Sequence, residues 1–340
     1  MKLVSFIEQD TEQLGIWHEG KIYNLARSAS RFGLTIPDTM EMFLLDGEES
    51  MEDSKKMYDE ILSGNPKITP SLATYENLLA PVPHPMSCRD AYAFRQHVEA
   101  ARRNRKVEMI KEFDQYPVFY FTNHHSITGP GEITCMPDHF QKLDFELEAA
   151  IVIGKQGKNI RAAEADEYIA GYMIMNDMSA RTLQMEEMLL NLGPAKGKDF
   201  STMIGPWVVT PDELEPFKVS AKPNHTGNNF NLKMTCKVNG VQVSEGNMGD
   251  MDWTFAEIIE RASYGVDLLP GDVIGSGTVG TGCFLELNGT GLLNNPDYKP
   301  QWLQPDDVVE MEITGLGILK NTIRKVETEY SILALKKNSL

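Results

Sequence analysis

The chain has 340 residues, 41% hydrophobic and 24% charged, with a net charge of −17 from 32 basic and 49 acidic side chains. That is enough apolar material for a sizeable core and two unequal domains. A surface this acidic repels phosphate backbones and anionic lipids, which argues against nucleic-acid and membrane partners. The four cysteines, Cys88, Cys135, Cys236 and Cys283, form no CxxC pair. Neither a disulfide framework nor a zinc site is signalled, and a reduced cytoplasmic setting fits. No stretch approaches the ~18 apolar residues of a membrane helix. To bind an anion, such a protein must build local positive charge from a metal or from a few Lys and Arg.

Residues 1 to about 25 alternate apolar and polar side chains around a Glu19-Gly20 turn, which predicts β-hairpins. Residues 38–64 carry a helical pattern. Pro81, Pro83 and Pro85 then mark the best candidate boundary, giving a small β-rich domain over 1–80 and a larger one over 81–330. A helix pattern is read from residue 89 through DAYAFRQHVEAARRN. LDFELEAAIVIG reads as a strand, AAEADEYIAG as a short helix and YMIMNDMSA as a strand. Residues 228–244 form a hairpin with Asn239-Gly240 at its turn, and 253–263 a helix. The remaining segments, including GDVIGSGTVGTG, CFLEL and DDVVEMEITGLG, read as strand and glycine turn. The fold class is α+β, mostly β.

The most informative segment is Asp144-Phe145-Glu146-Leu147-Glu148. Alternation along a strand puts the three carboxylates on one face, ~7 Å apart in succession. Full exposure relieves their repulsion, and so does a hard cation such as Mg²⁺, Ca²⁺ or Mn²⁺. The adjoining apolar run AAIVIG favours the cation. Asp177 ends another apolar strand, where it reads either as a ligand or as an Asx turn. Asp90 and His97, seven residues apart, would share a helix face, as a metal ligand beside a general base or as a cap and a half-buried surface residue. The loop Gly193–Phe200 lacks P-loop spacing, yet its lysines could hold a carboxylate or enolate oxygen. The Gly275–Gly282 turn offers backbone N–H groups and the Thr278 hydroxyl.

In order along the chain stand DxYxFRQH, DFELE with its apolar strand, GYMIMNDMSARTLQ, GPAKGKDFSTMIGPW, LLPGDVIGSGTVGTGCFLEL and QPDDVVE. This order resembles the fumarylacetoacetate hydrolase family over roughly residues 80–325, and within it the fumarylacetoacetase-like branch. The resemblance implies a small N-terminal β-domain followed by a β-roll, mixed-sheet catalytic domain. It implies a divalent cation held by Asp90, Glu146, Glu148 and Asp177. The related acylpyruvate-hydrolase branch places a Glu three residues after its histidine; here that position is Ala100, with Glu99 one earlier. By the same resemblance His97 is the catalytic base, Glu286 its partner and Lys198 the oxyanion-assisting lysine. Tyr92, Arg181, Gln184 and Thr278 match substrate-contacting positions. One of Arg102, Arg103, Arg105 and Lys106 would also reach the site.

The implied activity is metal-dependent hydrolysis of a C–C bond in a β-diketo or 2-oxo acid, of the kind used in aromatic-compound catabolism, by a homodimer. Decarboxylases, hydratases and isomerases of 2-oxo acids share the metal motif and stay open. A non-catalytic metal- or ligand-binding β-protein would have no reason to keep His97, Lys198 and Glu286 together.

Overall fold

The computed structural model describes residues 1–337. Its frame is a ten-stranded sheet. The path runs Lys21–Asn24, Thr11–His18, Lys2–Glu8, Thr202–Val209, Ile169–Asp177, Leu147–Ile153, Val273–Gly275, Cys88–Ala91 and Phe119–Thr122, with Ile127–Thr128 added alongside Thr202–Val209. The N-terminal hairpins form as expected, and Glu19 and Gly20 take the positive φ their tight turn requires. They extend the main sheet, because Leu3 pairs with Val208 and Lys2 with Val209. We propose a domain division near residue 80, across which this strand pairing runs.

The central strand Leu147–Ile153 is buried along its whole length, as a strand covered on both faces must be. Its odd residues, Leu147, Ala149, Ile151 and Ile153, join one core. That core also holds Met234, Met311 and Leu319 of a five-stranded second sheet. Ala150 and Val152 point the other way, into a core shared with Met40, Phe43, Leu44, Met57 and Ile61. Those five lie on the N-terminal helices Met40–Asp46 and Glu48–Leu62, within the expected helical stretch. The Asn239-Gly240 hairpin and the helix Phe255–Ala262 also form where the sequence puts them. No helix among the described residues is long and apolar enough to cross a membrane.

Three local expectations are corrected. The helix read from residue 89 begins later: Cys88–Ala91 is a strand, and the helix is Arg95–Asn104. Cys88–Ala91 pairs in parallel with Val273–Gly275 and antiparallel with Phe119–Thr122. That non-local pairing overrides the helical spacing, so Asp90 and His97 do not share a helix face. LDFELEAAIVIG is two strands, Leu143–Asp144 and Leu147–Ile153, with a break at Phe145-Glu146. CFLEL is not a strand but the start of the helix Phe284–Asn294. The first N–H groups of that helix, on Phe284 and Leu285, donate to Asp144 at 2.7 and 2.9 Å. A cap supplied from 140 residues away leaves no local signal.

Candidate metal and proton-transfer site

The carboxylates gather because each continues the same sheet face beyond its apolar rows. Cys88 precedes Asp90 by two residues, Met175 precedes Asp177, and Ala150 follows Glu148; all three apolar residues belong to the core on the helix-covered side. Period-two alternation then brings Asp90, Glu148 and Asp177 to one end of that face. Gly275 makes the space: a Cβ there would lie 2.5 Å from Asp90 Oδ1 and 2.8 Å from the Met175 sulfur. Glu146 joins from the break in its strand, where its N–H donates to Asn176 Oδ1 at 3.0 Å in place of a ladder bond. One oxygen from each of Asp90, Glu146, Glu148 and Asp177 lies within 4.8 Å of the others, and all four residues are buried.

Lys198 Nζ sits among them, donating to Glu146 Oε2 at 2.5 Å and to Asp177 Oδ2 at 2.7 Å. Its loop packs tightly on the helix Arg181–Met188, where a Cβ on Gly197 would meet the Gln184 backbone at 2.6 Å. Asp90 Oδ1 accepts from the Gly277 N–H at 3.0 Å, and the Thr278 hydroxyl donates to Glu148 at 3.3 Å. Burial, reinforced by the Asp177 charge, pushes the Asp90 carboxyl up to about 7. Burial and the neighbouring Asp90 carboxylate push Glu148 well above its ordinary value, and burial also raises Asp177. Burial acts the same way on Glu146, but the charges of Lys198 and Arg181 outweigh it and hold that carboxyl well below the usual range.

These residues fit a divalent cation. Glu148 Oε2 and Asp177 Oδ1 are buried without a hydrogen-bond partner, a costly state that a cation relieves. The donors are all carboxylate oxygens, which suits a hard ion.

Beside the cluster, His97 Nδ1 and Glu286 Oε2 are 2.7 Å apart, both residues buried. Glu286 Oε1 accepts from the Thr281 N–H at 2.9 Å. Both carboxylate oxygens are therefore fixed, and they hold the imidazole in one orientation. The Tyr92 ring meets the His97 ring edge-on at 5.9 Å.

Arg181 is buried and fully engaged. Its guanidinium donates to Asp144 and Glu146, each at 2.8 Å, and to Gln184 at 2.9 Å. Asp144, the third acid of the DFELE strand, thus stands outside the carboxylate cluster as a partner of Arg181 and a helix cap. Glu99 is exposed and paired with Arg95 at 2.8 Å. Of the four basic residues, Arg103, near the end of the histidine helix, bonds to Thr290 at 2.9 Å.

Three residues at the site escaped sequence reasoning. The hydroxyl of half-buried Tyr120 donates to Asp177. Tyr120 faces Asp90 across an antiparallel strand pair, a relationship with no sequence signature. Asn176 was visible beside Asp177, but its bond to the Glu146 N–H was not. Cys283 lies next to His97 and Glu146, although the cysteine spacing gave no sign of it.

The sequence profile described as fumarylacetoacetate (FAA) hydrolase C-terminal matches residues 87–324. A human protein named as a mitochondrial oxaloacetate tautomerase is 32% identical over 310 residues, covering 89% of this chain and 84% of its own. Two solved structures share the fold, each covering 96% of this chain and 100% of its own. A fumarylacetoacetate hydrolase from Exiguobacterium antarcticum is 24% identical with a TM-score of 0.69. A probable 2-hydroxyhepta-2,4-diene-1,7-dioate isomerase from Mycobacterium abscessus is 23% identical with a TM-score of 0.64. The chain belongs to the fumarylacetoacetate hydrolase family and is an enzyme of that superfamily.

Proposed function

We propose that this enzyme hydrolyses a C–C bond of a β-diketo or 2-oxo acid, with His97 as the base. The observation that carries this reading is the buried His97–Glu286 pair at 2.7 Å beside four clustered carboxylates. Held by Asp90, Glu146, Glu148 and Asp177, a divalent cation (Mg²⁺, Ca²⁺ or Mn²⁺) would supply positive charge to polarise substrate oxygens. His97 takes a proton from water, and Glu286 stabilises the imidazolium that results. The hydroxide adds to the substrate carbonyl carbon. The C–C bond then breaks with its electron pair passing to the departing fragment as an enolate. The Lys198 ammonium stabilises that developing charge, and the protonated His97 returns its proton to the enolate carbon. Tyr92 and Thr278 line the approach.

A second reading is proton relocation alone, as a tautomerase or isomerase. The human relative named as an oxaloacetate tautomerase favours it. It needs the same base and the same enolate charge, but no attacking water.

A substrate panel separates the two. Acylpyruvates and fumarylacetoacetate cleaved into two acids support hydrolysis. Faster enol–keto exchange of oxaloacetate, with every diketo acid left intact, overturns it in favour of the second reading. A homodimer is part of the proposal, supported by the exposed apolar run Met188, Leu189, Leu190 and Leu192.

A further inference from the structure

We propose that the site contains a second, softer cation position, formed by Cys283, His97 and Glu146, which takes Zn²⁺ or Cd²⁺ rather than Mg²⁺. Ligand atoms of these three residues lie within 4.8 Å of one another, and all three residues are buried. Among the described residues, Cys283 is the only one of the four cysteines in such a group.

The chemistry of the donors sets the preference. A thiolate and an imidazole select zinc-like ions, whereas Mg²⁺ and Ca²⁺ take oxygens. Around zinc, sulfur and nitrogen ligands at their usual bond lengths sit roughly 3.5 Å apart, so the group closes with shifts of about 1 Å. A fourth position stays open for water or substrate.

Two further features suit the site to a soft ion. Glu286 engages His97 Nδ1 at 2.7 Å, which leaves Nε2 as the free nitrogen; a carboxylate behind a ligating histidine is the usual support of a zinc site. Cys283 stands at the N-cap of the helix Phe284–Asn294, where its sulfur accepts from the Glu286 N–H at 3.5 Å. As the metal–sulfur bond forms, the thiol proton is released to solvent.

Glu146 is common to both positions. The harder ion keeps Asp90, Glu148 and Asp177, and a softer ion can enter beside it. Its presence would occupy the His97 nitrogen that the proposed reaction needs free, a consequence that rests on that reading.

The test is a Cd²⁺ titration of Mg²⁺-loaded protein, followed by the ultraviolet charge-transfer absorption of the cadmium–thiolate bond. The expected result is saturation at one equivalent, with the absorption absent in Cys283→Ser and Cys283→Ala although both keep their magnesium by elemental analysis. His97→Gln should weaken Cd²⁺ binding at least ~10-fold. No absorption in the wild type, absorption retained without Cys283, or unchanged affinity in His97→Gln would each overturn the site. A parallel Zn²⁺ titration of turnover separates the two claims. If the cadmium signal behaves as expected and zinc leaves turnover unchanged, the soft site stands and His97 is not the base.

Discussion

His97 and Glu286 are 189 residues apart in the chain, yet their side chains meet at 2.7 Å, and the remaining Glu286 oxygen is held by the Thr281 N–H at 2.9 Å. An imidazole anchored through Nδ1 presents its other nitrogen in one fixed direction. Glu286→Gln preserves shape but removes the charge that stabilises the imidazolium. It should lower kcat ~10²-fold or more, while magnesium stoichiometry stays at the wild-type value. Wild-type kcat in this variant would remove Glu286 from the mechanism.

Lys198 is bonded to two carboxylates at once, so the role proposed for it divides between holding them and stabilising the enolate. Lys198→Ala should cost ~10²-fold in kcat. It also removes an ammonium from among the carboxylates, so cation affinity should rise or hold in the variant. Steady-state kinetics and a magnesium titration read the two effects separately, and a loss of magnesium with kcat intact would contradict this assignment.

The carboxylate cluster makes stability depend on pH in a defined direction. The ordinary Asp90 value of 3.8 is raised to about 7, mainly by burial, and Glu148 and Asp177 are raised as well. Between those values the folded protein binds more protons than the unfolded chain, so without metal its stability falls as pH rises through that window. Glu146, shifted the opposite way, acts below its ordinary value and leaves the window unchanged. A cation replaces the protons. Calorimetry of EDTA-treated protein should therefore give a Tm that drops from about pH 5 to about pH 8, and Mg²⁺ should raise Tm more at the higher pH. An equal magnesium effect at both would show that these carboxylates do not exchange protons for metal.

Gly275 tests whether space at the cluster matters. Its missing Cβ would lie 2.5 Å from Asp90 Oδ1, so Gly275→Ala forces Asp90 or Met175 aside. A stability loss of about 1–3 kcal/mol is expected, with weaker magnesium binding, both read by chemical denaturation with and without the ion. A variant as stable as wild type with full metal affinity would mean the site tolerates the extra carbon.

The parts of this architecture that depend on local pattern were legible in the sequence. The buried Leu147–Ile153 strand, the Asn239-Gly240 hairpin, the helical stretch over 38–64 and the acidic residues themselves follow from periodicity and turn chemistry. What failed was decided by distant chain. Cys88–Ala91 is a strand because two other strands hydrogen-bond it, and Phe284 begins a helix because Asp144 caps it. Arg181 could be named from the resemblance, but its engagement by Asp144 and Glu146 depends on a break in the acidic strand that alternation alone does not anticipate. Tyr120 and Cys283 reach the site through tertiary placement only, so no spacing rule would have found them.

Asp90, Glu146, Glu148 and Asp177 are proposed to hold one divalent cation between them. Electron paramagnetic resonance of Mn²⁺ added to EDTA-stripped protein tests it most directly, with Glu148→Gln run alongside. The expected result is one tightly bound Mn²⁺ per chain in the wild type, lost or weakened at least ~10-fold in the variant. Free Mn²⁺ in both samples, or equal binding by both, would contradict it.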